Sequence, residues 1–97
     1  MAEYSLSLLA SRDIDHIYEY SYRQFGEEQA DAYVEQIRQS ARIAANFPRT
    51  GRLYTTRNGL VLRQYSCGRH ALFYVPQDNG ILVVRVLHLM MDFDSHL

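Results

Sequence analysis

Ninety-seven residues, 47% hydrophobic and 22% charged, fit one globular domain; a chain of this size buries roughly two-thirds of its unfolded surface without staples. A lone cysteine, Cys67, excludes an internal disulfide and a cysteine-rich zinc site, and no run nears the ~18 consecutive apolar residues of a membrane-spanning helix. Ten arginines, no lysine and eleven acids leave a net charge of −1, which argues against nucleic acid as the main partner, because neutralising phosphates takes a basic surface. Arginine suits carboxylate pairing and protein interfaces, although the codon usage of a GC-rich genome explains the missing lysines equally well. The start, MAEYSLSLLASRD, carries Glu3 where a leader peptide needs positive charge. The expected compartment is the reducing cytoplasm.

Tyr4, Leu6 and Leu8 alternate with Ser5 and Ser7, as a half-buried first strand would. Ser11 is the predicted N-cap of the first helix, with Asp13 and Asp15 in the turn where the helix dipole favours acids. Ile14, Ile17, Tyr18, Tyr22 and Phe25 then recur at helical spacing, and Gly26 supplies a left-handed stop. Glu27 and Glu28 open a second helix with the stripe Ala30, Tyr33, Val34, Ile37, Ala41 and Ala44, ending near Asn46 before Pro48. So short a join forces an antiparallel hairpin.

Pro48 to Asn58 reads as a loop, closed by Gly59. Three β-rich runs follow: Leu60 to Tyr65, His70 to Val75 and Ile81 to Leu87. The segment PQDNG between the last two carries an Asn-Gly hairpin signal. The final run is apolar almost throughout except at Arg85, which predicts a central strand covered on both faces. The expected fold is α+β in the order β-α-α-β-β-β, with the helical hairpin on one face of a small, mainly antiparallel sheet and a short tail from His88 to Leu97.

These residues resemble the ParE toxins of the ParE/RelE superfamily. The resemblance rests on the start YSLSLLASRDIDHIYEYSYRQFG, with Asp13, Ile14, Ile17, Tyr20, Phe25 and Gly26, and on a helix with Gln29, Ala30 and Tyr33. It continues through Phe47-Pro48, Gly51-Arg52, Gly59-Leu60, Gly68-x-His70 and Phe73-Tyr74 to Arg85-Val86-Leu87-His88, Met91-Asp92 and His96-Leu97. It covers essentially the whole chain, and the ordered set ending RVLH-x-x-MD-x-x-x-HL is its specific part. The resemblance implies a cytotoxic protein that binds DNA gyrase and is silenced by a ParD-like antitoxin, whose C-terminal helix and strand wrap the toxin. The related RelE branch instead cuts messenger RNA on the ribosome.

Metal-free RNA cleavage needs a base, an acid and cations on the phosphate. His88 and His70 supply a conceivable acid/base pair, but HLMMDFDSHL after Leu87 holds no arginine, lysine or tyrosine and does hold Asp92 and Asp94. That composition disfavours a ribonuclease. No catalytic residue, cofactor or metal is expected: His16, His70, His88 and His96 share no short ligand spacing, and Cys67 reads as an inert turn thiol. A buried Arg85 demands a carboxylate, with Asp13, Asp92 and Glu19 as candidates, and this structural role is weighed against a contact to gyrase or antitoxin. Arg63 reads as solvated or as an interface residue.

Two protein-binding surfaces are therefore expected. The antitoxin, disordered until bound, would take the groove between hairpin and sheet through Tyr18, Tyr20, Tyr22, Tyr33 and Ile37. Gyrase would meet the sheet edge and tail through Arg63, Arg85, His88, Met91, Asp92 and His96. A ribosome-dependent ribonuclease and a degenerate, harmless antitoxin-binding homologue are the alternatives.

Overall fold

The computed structural model describes residues 2–97. Strand β1 (Glu3–Leu6) stops before Ser7, and helix α1 spans Leu8–Phe25. Ser7, not the expected Ser11, is the N-cap: its backbone is extended, and the Ala10 N–H donates to Ser7 Oγ at 3.0 Å. Both serines have cap chemistry. A tertiary contact decides between them, because Ser7 Oγ also donates to the Val84 carbonyl at 2.6 Å and ties the cap to the sheet. Asp13 consequently lies in the second turn rather than the first.

Gly26 (φ 92°) ends α1 with its N–H on the Tyr22 carbonyl and at once precedes α2 (Glu27–Asn46). The hairpin is as the periodicity predicts. Ala30, Ala41, Ala44 and Ala45 are all buried, and their small side chains let α2 lie close to its neighbours.

The sheet has five strands, one more than expected, in the order β1-β5-β4-β3-β2. The additional strand is β2 (Arg52–Thr55), inside the segment read as a loop. It is only four residues long and is held by antiparallel pairing to β3 (Val61–Cys67), which no local pattern announces. Strands β4 (His70–Gln77) and β5 (Gly80–His88) complete the antiparallel part, whereas β1 runs parallel to β5, so the sheet is mixed. The middle position belongs to β4; β5 is interior, between β4 and β1. The turn before β5 is Asp78-Asn79 rather than Asn-Gly. Gly80 serves the approach of β1: a Cβ there would sit 1.6 Å from the Glu3 carbonyl oxygen.

Helices cover one face, where Ile14, Val34 and Ile37 meet Leu72, Tyr74, Ile81 and Val83. The other face is covered by the expected tail, whose apolar packing on the sheet no periodicity announces. Leu62, Ala71, Phe73 and Leu87 are buried there beneath Phe93 and Leu97, with Phe93, in a 3-10 turn (Phe93–Ser95), edge-on to Phe73 at 4.8 Å. Both faces of β5 are thus covered, as its composition predicts.

Candidate functional site

Where β1 ends, residues 84–88 of β5 keep β4 on one side but have no strand on the other, and α1 takes that place. Asp13 Oδ2 accepts the Val86 N–H at 2.9 Å. The same carboxylate holds Arg85 in two parallel bonds, from Nε at 2.8 Å and Nη2 at 2.9 Å. Arg85 Nη1 donates to the His96 carbonyl at 2.9 Å, so one guanidinium joins helix, strand and tail. The hydrogen bonds it donates to Asp13 raise the Arg85 pKa above its ordinary value. Asp13 is the partner, not Asp92 or Glu19, and Arg85 is a structural pin rather than a target contact, because its donors face its own chain.

Next to this pin, His70 and His88 are cross-strand neighbours with rings edge-to-face at 5.1 Å. Tyr33 of α2 reaches them: its Oη lies 2.6 Å from His70 Nδ1, and the Arg69 N–H donates to it at 3.1 Å. Burial, aided by His88 and opposed by Asp13, pushes His70 down to about 4, so its imidazole is neutral at pH 7. The Met90 N–H occupies His88 Nδ1 at 3.0 Å. The buried Cys67 ends β3, just before this turn. Among the described residues no group of three or more His, Cys, Asp or Glu side chains could hold a metal ion.

The tail is fastened from the β2 side as well. Asp94 accepts from the Tyr54 hydroxyl and, at 2.8 Å, from the Arg57 N–H. The Tyr54 hydrogen bond, then that of Arg57, holds the Asp94 carboxyl below its usual range. With Asp94 and Phe93 turned to the protein, the tail presents Met90 (86% exposed), Met91, Asp92 and His96 outward. Met90, the most exposed, is absent from the sequence-derived set. His88 is only half-exposed, and Arg63 Nη1 donates to the carbonyls of Gly51 (2.7 Å) and Arg49 (3.3 Å), steadying the turn before β2.

The helix residues divide too. Tyr20 and Tyr22 are exposed, and Tyr18 is half-buried with its hydroxyl on Asp31 at 2.8 Å. That bond, with some burial, raises the Tyr18 pKa. Tyr33 is spent on the His70 cluster, and Ile37 is 1% exposed, so the expected antitoxin contact at Ile37 is corrected to a core position. The space between hairpin and sheet is filled core rather than an open groove. A helix stripe reports what the helix buries, not what it offers.

The sequence reading also missed how the charge is distributed. Residues 36–77 hold seven of the ten arginines and no aspartate or glutamate, whereas the other residues hold all eleven acids and the remaining three arginines. A net charge of −1 conceals this division, which a running charge sum reveals. The basic segment builds the second half of α2, β2, β3, the β3–β4 turn and β4. Among the described residues Arg49, Arg52, Arg63 and Arg69 form no ion pair.

Comparison with known proteins bears directly on this arrangement. Residues 4–93 match the family model described as the ParE toxin of the type II toxin-antitoxin system parDE. Toxin ParE1 of Mycobacterium tuberculosis (strain H37Rv) is 38% identical over 98 residues, covering 99% of this chain and 98% of that protein. Toxin ParE1 of Caulobacter vibrioides (strain CB 15) is 33% identical over 98 residues, covering 100% and 99%. A chain from the chromosomal ParDE system of P. aeruginosa superposes with a TM-score of 0.71 at 18% identity, covering 91% of this chain and 96% of that one, a likeness of fold. On the family match and these identities, the chain belongs to the ParE family of toxins from type II toxin–antitoxin systems.

Proposed function

We propose that this toxin acts in the cytoplasm by binding DNA gyrase and blocking its turnover, and that a ParD-like antitoxin keeps it silent. Family membership carries the toxin role. The observation that favours occupancy over bond breaking is the make-up of the surface after β5. That surface offers Met90, Met91, Asp92 and His96 without a single arginine or lysine from His88 onward. Methionine-rich surface suits protein contact, whereas cleaving a phosphodiester without metal calls for cations on the phosphate. The neighbouring His70 is neutral, with Nδ1 taken by Tyr33, which leaves no poised acid/base pair. On the helical hairpin, Tyr20 and Tyr22 are the aromatic contacts for the antitoxin.

Purified toxin added to a plasmid supercoiling reaction is expected to leave relaxed DNA unconverted, and pre-mixing with the antitoxin is expected to restore conversion. Met90→Glu with Met91→Glu should abolish inhibition while leaving the fold intact. This pair is preferable to truncation at Asp92, which would strip Phe93 and Leu97 from the sheet. Transcript cleavage in a translation extract, lost on replacing His70 or His88, would overturn the proposal in favour of the ribonuclease branch.

A further inference from the structure

Among the described residues sulfur occurs at Cys67, Met90 and Met91, and the fold treats these positions differently. Cys67 is 8% exposed and belongs to the helix-side core. Met90 and Met91 stand in the turn after β5 at 86% and 45% exposure. Neither methionine is part of the two buried clusters, and the turn that carries them is held by other groups. The Leu89 N–H donates to the Arg69 carbonyl at 2.9 Å, and the Met91 N–H to the His88 carbonyl at 3.0 Å. The Met90 N–H donates to His88 Nδ1 at 3.0 Å. Both thioethers are therefore open to solvent, while the turn rests on backbone bonds and on His88. A chemical change confined to the two sulfurs alters the surface without loosening the core.

A thioether sulfur is a nucleophile toward peroxides. Its lone pair attacks one oxygen of a hydroperoxide, the O–O bond breaks, an S=O bond forms, and the other oxygen leaves as water or an alcohol. The sulfur loses two electrons and the peroxide gains them. The sulfoxide is polar and chiral, so pressing it against an apolar partner costs the desolvation of an unpaired dipole. Reversal consumes two thiols, which become a disulfide while the oxygen departs as water.

We infer that Met90 and Met91 form a reversible oxidation site for hydroperoxides, which disarms the toxin while its fold and its antitoxin surface stay in place. The effect on toxicity rests on the target contact proposed above; the reactivity, and its preference for the tail over Cys67, do not. Tyr20 and Tyr22, the proposed antitoxin contacts, lie on α1 and not in the tail. An oxidised toxin is therefore still captured.

The test treats the full chain with millimolar hydrogen peroxide and maps the added oxygen by peptide mass spectrometry. Met90 should oxidise about twice as fast as Met91, following exposures of 86% and 45%, with Cys67 unmodified and circular dichroism unchanged. In the supercoiling reaction, equal inhibition should then need about tenfold more toxin or higher, while antitoxin capture shifts less than about twofold. A methionine sulfoxide reductase with dithiothreitol should return full inhibition; dithiothreitol alone should not. Met90→Leu with Met91→Leu, scored against its own untreated sample, should not respond to peroxide. The inference is overturned if Cys67 reacts before the methionines, if the fold changes, or if inhibition survives oxidation of both. It is equally overturned if antitoxin capture falls in step with inhibition, if dithiothreitol alone restores activity, or if the leucine variant responds. Should untreated toxin leave supercoiling unaffected, the gyrase reading falls alone, and growth arrest becomes the readout. Mild peroxide should then ease the arrest more in cells lacking the reductase than in cells holding it, and equal arrest in both would remove the oxidation site.

Discussion

On the helix-bearing face of the sheet, twenty residues of α2 and eighteen of α1 press Ile37, Ala41, Ala44 and Ile14 onto Leu72, Tyr74, Ile81 and Val83. On the opposite face the cover is nine residues, Leu89–Leu97, with two apolar anchors, Phe93 and Leu97, and a polar clasp of Asp94 to Tyr54 and Arg57. The first face is secured by area removed from water. The second is secured by a few directed contacts on a strap whose outward side remains available. A small fold thus keeps stability and presentation on separate sides, and among the described residues Arg85 is the one side chain bonded to both covers.

Removing that link should have the largest effect. Asp13→Ala leaves a mostly buried guanidinium without its partner and the Val86 N–H without an acceptor, and should cost about 3–5 kcal/mol in urea unfolding. A loss near zero would mean that the two covers are independent. Ile37→Ala, within the helix-side core, should cost about 3 kcal/mol by transfer and cavity terms. Phe93→Ala, on the half-exposed strap, should cost about 1–2 kcal/mol and raise hydrogen exchange at Phe73 and Leu87 more than at Val83. The reverse ranking of the last two would break the comparison.

The last effect, absent at neutral pH, is a pH dependence. His70 is pushed down to about 4 in the folded chain from an ordinary 6.5. As pH falls below 6.5 the unfolded chain takes up the proton first, so stability is full above about 6.5 and declines between there and 4. Below that window this histidine adds no further slope. Thermal melts of wild type and His70→Gln across the window should differ in slope, with the variant flatter; parallel curves would show that His70 titrates alike in both states.

Much of this was legible in the sequence, and the exceptions have physical causes. The hairpin was legible because two apolar stripes and Gly26 act locally. The Asp13–Arg85 pair was foreseeable as one of three, since a cation in an apolar strand needs a carboxylate. The choice of Ser7 over Ser11 was not, because the Val84 carbonyl that decides it lies 77 residues away. Strand β2 hid among turn formers, and its place depends on Tyr74, whose hydroxyl accepts the Gly51 N–H and donates to the Pro48 carbonyl. Tail docking hid because Phe93 and Leu97 stand singly in a polar stretch. Of the residues expected to meet partners, Ile37 and Arg85 proved internal, and the basic segment 36–77 was lost in a near-zero total charge.

The way α1 replaces a strand along residues 84–88 of β5 bears on self-association. Unpaired edges invite other chains to add strands, and natural sheets blunt them. Here Ser7 Oγ satisfies the Val84 carbonyl and Asp13 the Val86 amide, so that stretch of edge offers no template for a foreign strand. Loss of Asp13 would therefore do more than loosen the molecule: it would reopen a sticky margin, and the variant should precipitate on concentration at temperatures well below those that unfold it.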